Sequence, residues 1–267
     1  MIAGRCFAAL LIAALAVALC FLTLPLAAIF VDVGPGRLLE SLGEEGALDA
    51  LVLSLEATAT ALAVIVAVGT PVAWLLATRS FRGRSVVVTL VELPLVVPPA
   101  VAGIGLLASI GPDGLLGGVV AATGVELVFH TAGVVVALVF VASPFYVRQA
   151  QAAFEAVEPN LLEASRTLGA SEARTLLRVA LPNARAGLLA GGALAWGRAL
   201  GEFGATLVFA GSLSGRTQTA PLAIVERFAS DFDGALAMSA VLVAVSAAIL
   251  LGVKLVSGDR LLGDARA

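Results

Sequence analysis

The sequence predicts an all-α membrane protein with six transmembrane helices and with its N- and C-termini in the cytoplasm. Of the 267 residues, 60% are hydrophobic and 13% are charged, whereas a soluble domain has about 45–50% apolar and roughly 25% charged residues. Five segments of at least 20 residues carry no Asp, Glu, Lys or Arg, and a sixth carries only two such residues. Twelve of the 16 basic residues fall on one side of these segments.

The composition also excludes several functional classes. The net charge is −3 and there is no basic or acidic tail, which argues against a nucleic-acid-binding protein. Two cysteines and one histidine are too few for a zinc site or a disulfide framework. We therefore predict no metal site, no cofactor and no catalytic residue in this chain.

The six spans follow from the lengths of the apolar segments, because about 20 apolar residues in a helix cross a bilayer core. Five spans are predicted at residues 6–31, 57–78, 93–112, 127–147 and 234–253. The fifth in chain order covers about residues 186–211 and contains Arg198 and Glu202. Arg5 before the first segment is compatible with a signal peptide, but the apolar region exceeds the about 7–15 residues of such a peptide. We therefore expect the first helix to be retained.

The third predicted span contains Pro94, Pro98 and Pro99, and prolines remove backbone donors and prevent a straight helix. In a membrane, such a break is tolerated where it is buried in protein or lines a water-filled cavity. The segment is either a hinge in a pathway or a kink that serves packing.

The fifth predicted span combines small residues with an ion pair. Small residues recur every four positions in two stripes, which lets helices approach closely: Gly187, Gly191, Ala195 and Ala199, and Gly197, Gly201 and Ala205. The stripes indicate internal packing, with a homodimer seam as the alternative. Arg198 and Glu202 share a helix face and can pair. Because intramembrane ions usually face a bundle interior or water, this pair either lines a pathway or locks two helices together.

The distribution of basic residues predicts the orientation, since cytoplasmic loops are enriched in them. It places both termini and residues 148–185 in the cytoplasm, and Arg37, Arg216 and Arg227 on the outer side. His130, at the outer edge of the fourth span, is expected to be a surface residue rather than a proton relay.

Residues 148–185 form the only long cytoplasmic connection. Pro159 is placed to begin a short helix, Gly169 to end it, and Ser171 to cap a second short helix that stops before Pro182. Two short helices at an angle form a rigid knob that suits docking into a soluble partner.

This segment also carries a spaced motif. Glu163-Ala164-Ser165 is followed by Gly169 and then by Leu181-Pro182, with Val179 two residues before Leu181. The spacing resembles the Glu-Ala-Ala signature of the permeases of ABC importers, with Ser165 in place of the second Ala and Val179 in place of Ile. Residues 93–99, 201–211 and 215–224 are similar to the oxyanion permeases for molybdate, tungstate and sulfate. The resemblance covers roughly residues 50–255.

The resemblance implies a six-helix bundle like that of a type I ABC importer permease, in the inner (plasma) membrane. Residues 1–267 would form one permease domain, with a core transport region at 51–255 and a coupling loop at 148–185. The implied activity is import of molybdate or tungstate by alternating access. Sulfate or thiosulfate is the alternative substrate.

The resemblance also implies partners: a second copy of this chain, a cytoplasmic ABC ATPase dimer that binds ATP and Mg, and an extracytoplasmic oxyanion-binding protein. The binding protein would dock on outer loops at residues 32–50, 111–126 and 211–233. The sequence agrees that the ATPase is separate, because a Walker A motif needs Gly-Lys-Ser/Thr. The single lysine, Lys254, lies between Val253 and Leu255.

Two groups of site residues follow from these arguments. The residues expected to couple to the ATPase are Glu163, Ala164, Ser165, Gly169, Ala170, Leu181 and Pro182. Those expected to line or gate the translocation pathway are Arg198, Gly201, Glu202, Gly204, Thr206, Pro94, Pro98 and Pro99.

Two other functional classes compete with this interpretation. An ion-coupled secondary transporter would need several intramembrane carboxylates, yet Glu202 is the only acidic residue well inside a predicted span. An intramembrane enzyme would need a catalytic set, which the spans lack.

Overall fold

The computed structural model describes residues 2–33, 36, 43 and 46–258, and these residues form helices and no strand. We number the described helices α1 (Ile2–Asp32), α2 (Ala47–Thr78), α3 (Arg84–Val96), α4 (Pro99–Ile110), α5 (Gly117–Ala122), α6 (Thr131–Glu155), α7 (Pro159–Thr167), α8 (Glu172–Thr175), α9 (Leu181–Leu200), α10 (Gly204–Ala210), α11 (Ala220–Phe228) and α12 (Phe232–Gly258). Arg37, Arg260, Arg266 and most of the predicted outer loop at 32–50 lie outside the described residues.

Four of the described helices, α1, α2, α6 and α12, are long and apolar enough to cross a membrane. They correspond to the first, second, fourth and sixth predicted spans. A fifth span results if α3 and α4 are counted together, although these two helices are bent by 118° at their junction. The all-helical class is confirmed, whereas six spans are not.

The third predicted span is broken at its prolines. Val97 and Pro98 have extended backbone angles between α3 and α4, and Pro99 is the first residue of α4. Each of these two residues precedes a proline, and the proline ring disfavours helical angles in the residue before it. Pro94 is accommodated inside α3. The predicted loss of a straight helix is therefore confirmed.

The fifth predicted span is not one helix. α9 ends at Leu200, the chain leaves the helical conformation at residues 201–203, and α10 begins at Gly204. No proline causes this break. The carboxylate of Glu202 accepts a hydrogen bond from the backbone N–H of Ala205 at 2.8 Å, so a side chain replaces a helical carbonyl in the first turn of α10.

α6 lies at the centre of the bundle and packs against α2, α3, α9 and α10. A Cβ on Gly187 would overlap the Cβ of Ala153, and one on Gly191 would lie 3.0 Å from the Cβ of Gln149. The first small-residue stripe of α9 therefore packs inside the bundle against α6, as predicted. α1 lies at the periphery, where it contacts α12 and its described side chains are largely exposed.

Candidate functional site

The predicted coupling loop contains the two short helices that the sequence indicates. α7 begins with Pro159 at its first turn, and Ser171 caps α8 by accepting a hydrogen bond from the N–H of Arg174. Gly169 has φ +80°, a left-handed conformation that favours glycine. The N–H groups of Gly169 and Ala170 donate to the carbonyls of Arg166 and Ser165. This is the hydrogen-bond pattern of a Schellman motif, and it fixes the turn between the helices.

The loop is shorter than predicted at both ends. Residues 148–155 continue α6 for two more turns, so the connection begins at Ala156. The helical chain also does not stop before Pro182, which lies in the first turn of α9.

A π-helical turn at Leu176–Ala180 accommodates this proline. The N–H of Leu181 reaches the carbonyl of Leu176, five residues back. Pro182 has no N–H to donate, and the side-chain amide of Asn183 donates to the carbonyl of Val179 at 2.7 Å. The widened turn therefore lets the helix continue past Pro182, although a proline usually interrupts a helix.

Ser165 has a structural role in this loop. Its hydroxyl lies 2.9 Å from that of Thr175, which is fully buried. The bond joins α7 to the end of α8, while Leu162 packs into the hydrophobic core beneath them. A serine in place of the second alanine of the signature thus holds the two arms of the knob together.

The outer face of the loop is open. Glu163, Ala164 and Gly169 are exposed, and Leu168 is 88% exposed. A Cβ on Gly169 would meet no atom within 4 Å. Glu163, Ala164 and Gly169 are therefore accessible to a partner, whereas Leu181 is half-buried against the core at the start of α9.

Two of the predicted pathway residues, Pro99 and Gly204, lie together where the two broken segments meet. A Cβ on Gly204 would lie 2.9 Å from the Cβ of Pro99, and one on Gly103 would lie 2.7 Å from the Cβ of Val208. Residues 99 and 103 of α4 lie next to residues 204 and 208 of α10, in the same order along both helices. The two helices therefore run side by side in parallel. The break at Pro98 and the break at residues 201–203 are therefore neighbours.

Arg198 and Glu202 form the ion pair that their spacing predicts. Arg198 Nη2 lies 2.5 Å from Glu202 Oε2, and the two side chains are 26% and 1% exposed. The other carboxylate oxygen accepts the N–H of Ala205. The pair thus ties the end of α9 to the start of α10, and the buried carboxylate has a partner on each oxygen.

The remaining pathway candidates differ in accessibility. Thr206 is fully buried, and its hydroxyl donates to the carbonyl of Phe203 at 3.0 Å. Gly201 is exposed, and a Cβ there would meet only the carbonyl of Gly197, at 3.7 Å. Pro98 and Pro99 are exposed and Pro94 is half-buried.

Sequence reasoning missed a contact at the opposite end of the bundle. His130 is half-buried, and its Nε2 lies 2.7 Å from Arg216 Nη2 and 3.0 Å from Glu126 Oε2. The hydroxyl of Thr131 donates to the carbonyl of Arg216. His130 therefore joins two loops that are far apart in sequence. The one indication of this contact in the sequence is that Glu126 lies four residues before His130.

A family model described as "Binding-protein-dependent transport system inner membrane component" matches residues 69–261. The chain belongs to this family. It is 41% identical to the molybdenum transport system permease protein ModB of Mycobacterium bovis, over 87% of this chain and 88% of that protein. It is 33% identical to the sulfate transport system permease protein CysW of Synechocystis, over 87% and 86% of the two chains.

Solved structures support the same fold. A chain of the bacterial alginate ABC transporter, in complex with an alginate-pentasaccharide-bound periplasmic protein, superposes on this permease with a TM-score of 0.76. The match covers 96% of this chain and 95% of that chain at 17% sequence identity. The expected ABC importer permease fold is confirmed.

Family membership settles the functional class. The protein is a multi-pass inner-membrane permease and is not itself an enzyme, since ATP hydrolysis belongs to a separate subunit in this family. The secondary transporter and the intramembrane enzyme are thereby excluded.

Proposed function

We propose that this permease imports molybdate, with tungstate as a closely related substrate. The observation that carries the proposal is the 41% identity to ModB over 87% of the chain, compared with 33% to CysW over the same share. Residues 215–224, which resemble molybdate permeases most closely, support the same choice.

In this proposal the anion passes along the two neighbouring breaks. Interrupted helices at membrane depth are tolerated only inside protein or along a water-filled cavity, and Pro98–Pro99 and residues 201–204 provide such interruptions side by side. The charge of Arg198 is balanced by Glu202. A pathway must bind its substrate weakly enough to release it, and a balanced cation meets this requirement better than an unpaired one.

We further propose three protein partners. The open face of the coupling loop, with Leu168 almost fully exposed, is the surface that we assign to the ATPase. The family description names a binding-protein-dependent system, which favours an extracytoplasmic oxyanion-binding protein on the opposite side. A second copy of this chain completes the pathway.

The proposed orientation places both termini and the coupling loop in the cytoplasm. Arg79, Arg84, Arg148 and Arg166 all lie at the end of the bundle that carries the coupling loop, where they pair with acidic side chains. Basic residues concentrate on the cytoplasmic side of membrane proteins.

Uptake of labelled molybdate, tungstate and sulfate, in a strain that lacks this chain and after its reintroduction, tests the substrate. We expect reintroduction to restore molybdate uptake, and excess tungstate to compete more strongly than excess sulfate. Restored uptake of sulfate without that of molybdate would identify a sulfate permease instead.

A further inference from the structure

A chain of hydrogen-bonded side chains joins α3 to α6. Arg148 Nε lies 2.7 Å from Glu92 Oε1, and Arg148 Nη1 donates to Gln151 Oε1 at 3.1 Å. Gln151 Nε2 donates to Glu155 Oε1 at 2.8 Å, and the same oxygen accepts from Arg84 Nη2 at 3.2 Å. We name these five residues the α3–α6 ladder.

The ladder follows from helical spacing. Arg148, Gln151 and Glu155 are three and four residues apart, so they follow one another along one face of α6. At its far end the ladder is anchored to α2, because Arg84 donates from Nε and Nη2 to the carbonyl of Leu76 at 2.9 and 2.8 Å. The ladder therefore fixes three helices relative to one another.

The ladder connects the coupling loop with the pathway. Glu155 is the last residue of α6, and the coupling loop continues from there into α7. At the other end, Glu92 lies just before Pro94 and the break between α3 and α4. A second contact, between Arg79 Nη2 and Glu172 Oε1 at 3.4 Å, joins the turn between α2 and α3 to the coupling loop.

α3 has few other attachments to α6. None of its side chains is buried, and only Val88 and Val91 pack partly against the main core. Exposed ion pairs contribute little to the free energy of folding. Gln151 differs from the ion pairs, because it is only 4% exposed and its amide therefore needs partners. A buried amide between two half-exposed ion pairs favours a fixed geometry more than overall stability.

From these contacts we infer that the α3–α6 ladder transmits movement from the coupling loop to the pathway. The inference rests on the proposed coupling to an ATPase. When the partner displaces the coupling loop, α6 moves with it, and the ladder makes α3 and its proline break follow. Glu92, Arg148 and Gln151 are thus positioning residues for transport, and they need not contact the anion.

The test measures anion uptake and ATP hydrolysis in the same proteoliposomes, which contain the permease, its ATPase and its binding protein. Glu92→Arg and Arg148→Glu each place like charges together, whereas the double exchange restores opposite charges. We expect uptake per ATP hydrolysed to fall about tenfold in each single variant, within the roughly 5–150-fold range of coupling between sites. We expect the double exchange to recover most of the loss.

Two further variants separate transmission from folding. Gln151→Leu interrupts the ladder without changing charge, and it should lower uptake per ATP while the permease still inserts. Arg82→Glu reverses an exposed charge in the turn between α2 and α3, outside both the ladder and the coupling loop, and it should leave the ratio unchanged.

An unchanged ratio of uptake to ATP hydrolysis in the single variants would overturn the inference. This includes the case in which uptake and hydrolysis fall by the same factor. The inference would also be overturned if the double exchange inserted normally but did not recover coupling. If the charge reversals prevent insertion, Glu92→Gln and Gln151→Leu decide by the same ratio. The ratio is measured with the anion that the wild type imports. The test therefore stays valid if that anion is sulfate or tungstate rather than molybdate.

Discussion

Glu202 holds the junction between α9 and α10 through both oxygens of its carboxylate. One carboxylate oxygen pairs with Arg198 near the end of α9, and the other accepts the N–H of Ala205 in α10. The spacing of the two charges predicted their pairing, but not the second contact, because the sequence predicted one continuous helix through residues 186–211. The structural interpretation of the pair is thereby supported, while its role in transport stays a prediction.

Neutralising the two members of this pair separately and together distinguishes these roles. Glu202→Gln keeps an oxygen for Ala205 but leaves Arg198 unpaired, and breaking a buried pair by removing one partner costs about 3–5 kcal/mol. We expect a clearly lowered Tm in detergent for Glu202→Gln. Adding Arg198→Gln should reverse most of this decrease in Tm. Normal uptake by the double variant would show that the pair only holds the fold.

Gly169 is a predicted coupling residue with open space at its Cβ position. A Cβ there meets no atom within 4 Å, so the main internal cost of a substitution is the left-handed backbone, φ +80°. This strain is roughly 1–2 kcal/mol. We expect Gly169→Leu to insert but to lose uptake, because the added side chain occupies the surface assigned to the ATPase.

Gly83 supplies the matched control for this substitution. It also has a left-handed backbone, φ +86°, and open space at its Cβ position, but it lies in the turn between α2 and α3. Gly83→Leu introduces the same strain away from the exposed face of the coupling loop. Equal uptake by the two variants would count against a docking role for Gly169.

Among the elements of the candidate pathway, α4 and α10 lie close together at Pro99 and Gly204. A Cβ on Gly204 would lie 2.9 Å from Pro99 Cβ and 3.3 Å from the backbone nitrogen of Ala100. We expect Gly204→Ala to destabilise the permease by about 1–3 kcal/mol, the usual cost of overpacking.

Gly201→Ala is the control for this element, because its nearest atom would be 3.7 Å away. Thermal unfolding in detergent should show a lower Tm for Gly204→Ala and a nearly unchanged Tm for Gly201→Ala. Equal unfolding temperatures for the two variants would contradict the close packing of α4 against α10.

The same elements show how far sequence reasoning reaches. Long charge-free segments located α1, α2, α6 and α12, and consecutive prolines predicted the break after α3, because both signals act locally along the chain. The break at residues 201–203 depends on a side-chain contact with Ala205, which periodicity does not reveal. The stop predicted before Pro182 was wrong, because a π turn and Asn183 accommodate that proline. The short helices α5 and α11 were missed, since they have only six and nine residues and lie in segments that were interpreted as outer loops.

At the scale of the whole molecule, the candidate sites lie along one structural route. The coupling loop continues directly from α6, the α3–α6 ladder joins α6 to α3, and α3 ends at the break beside α10. The sequence predicted both ends of this route from motifs. It did not predict the ladder, because helical spacing within α6 does not show which residue of α3 lies opposite Arg148.

We predict that this permease moves its substrate anion only when a separate ATPase drives it. Uptake of labelled molybdate into proteoliposomes, prepared with and without the ATPase and the binding protein, tests this claim most directly. We predict uptake that requires both partners and ATP on the ATPase side, and that vanadate abolishes. Molybdate uptake by the permease alone, driven by an imposed ion gradient, would show that the ATPase is not required.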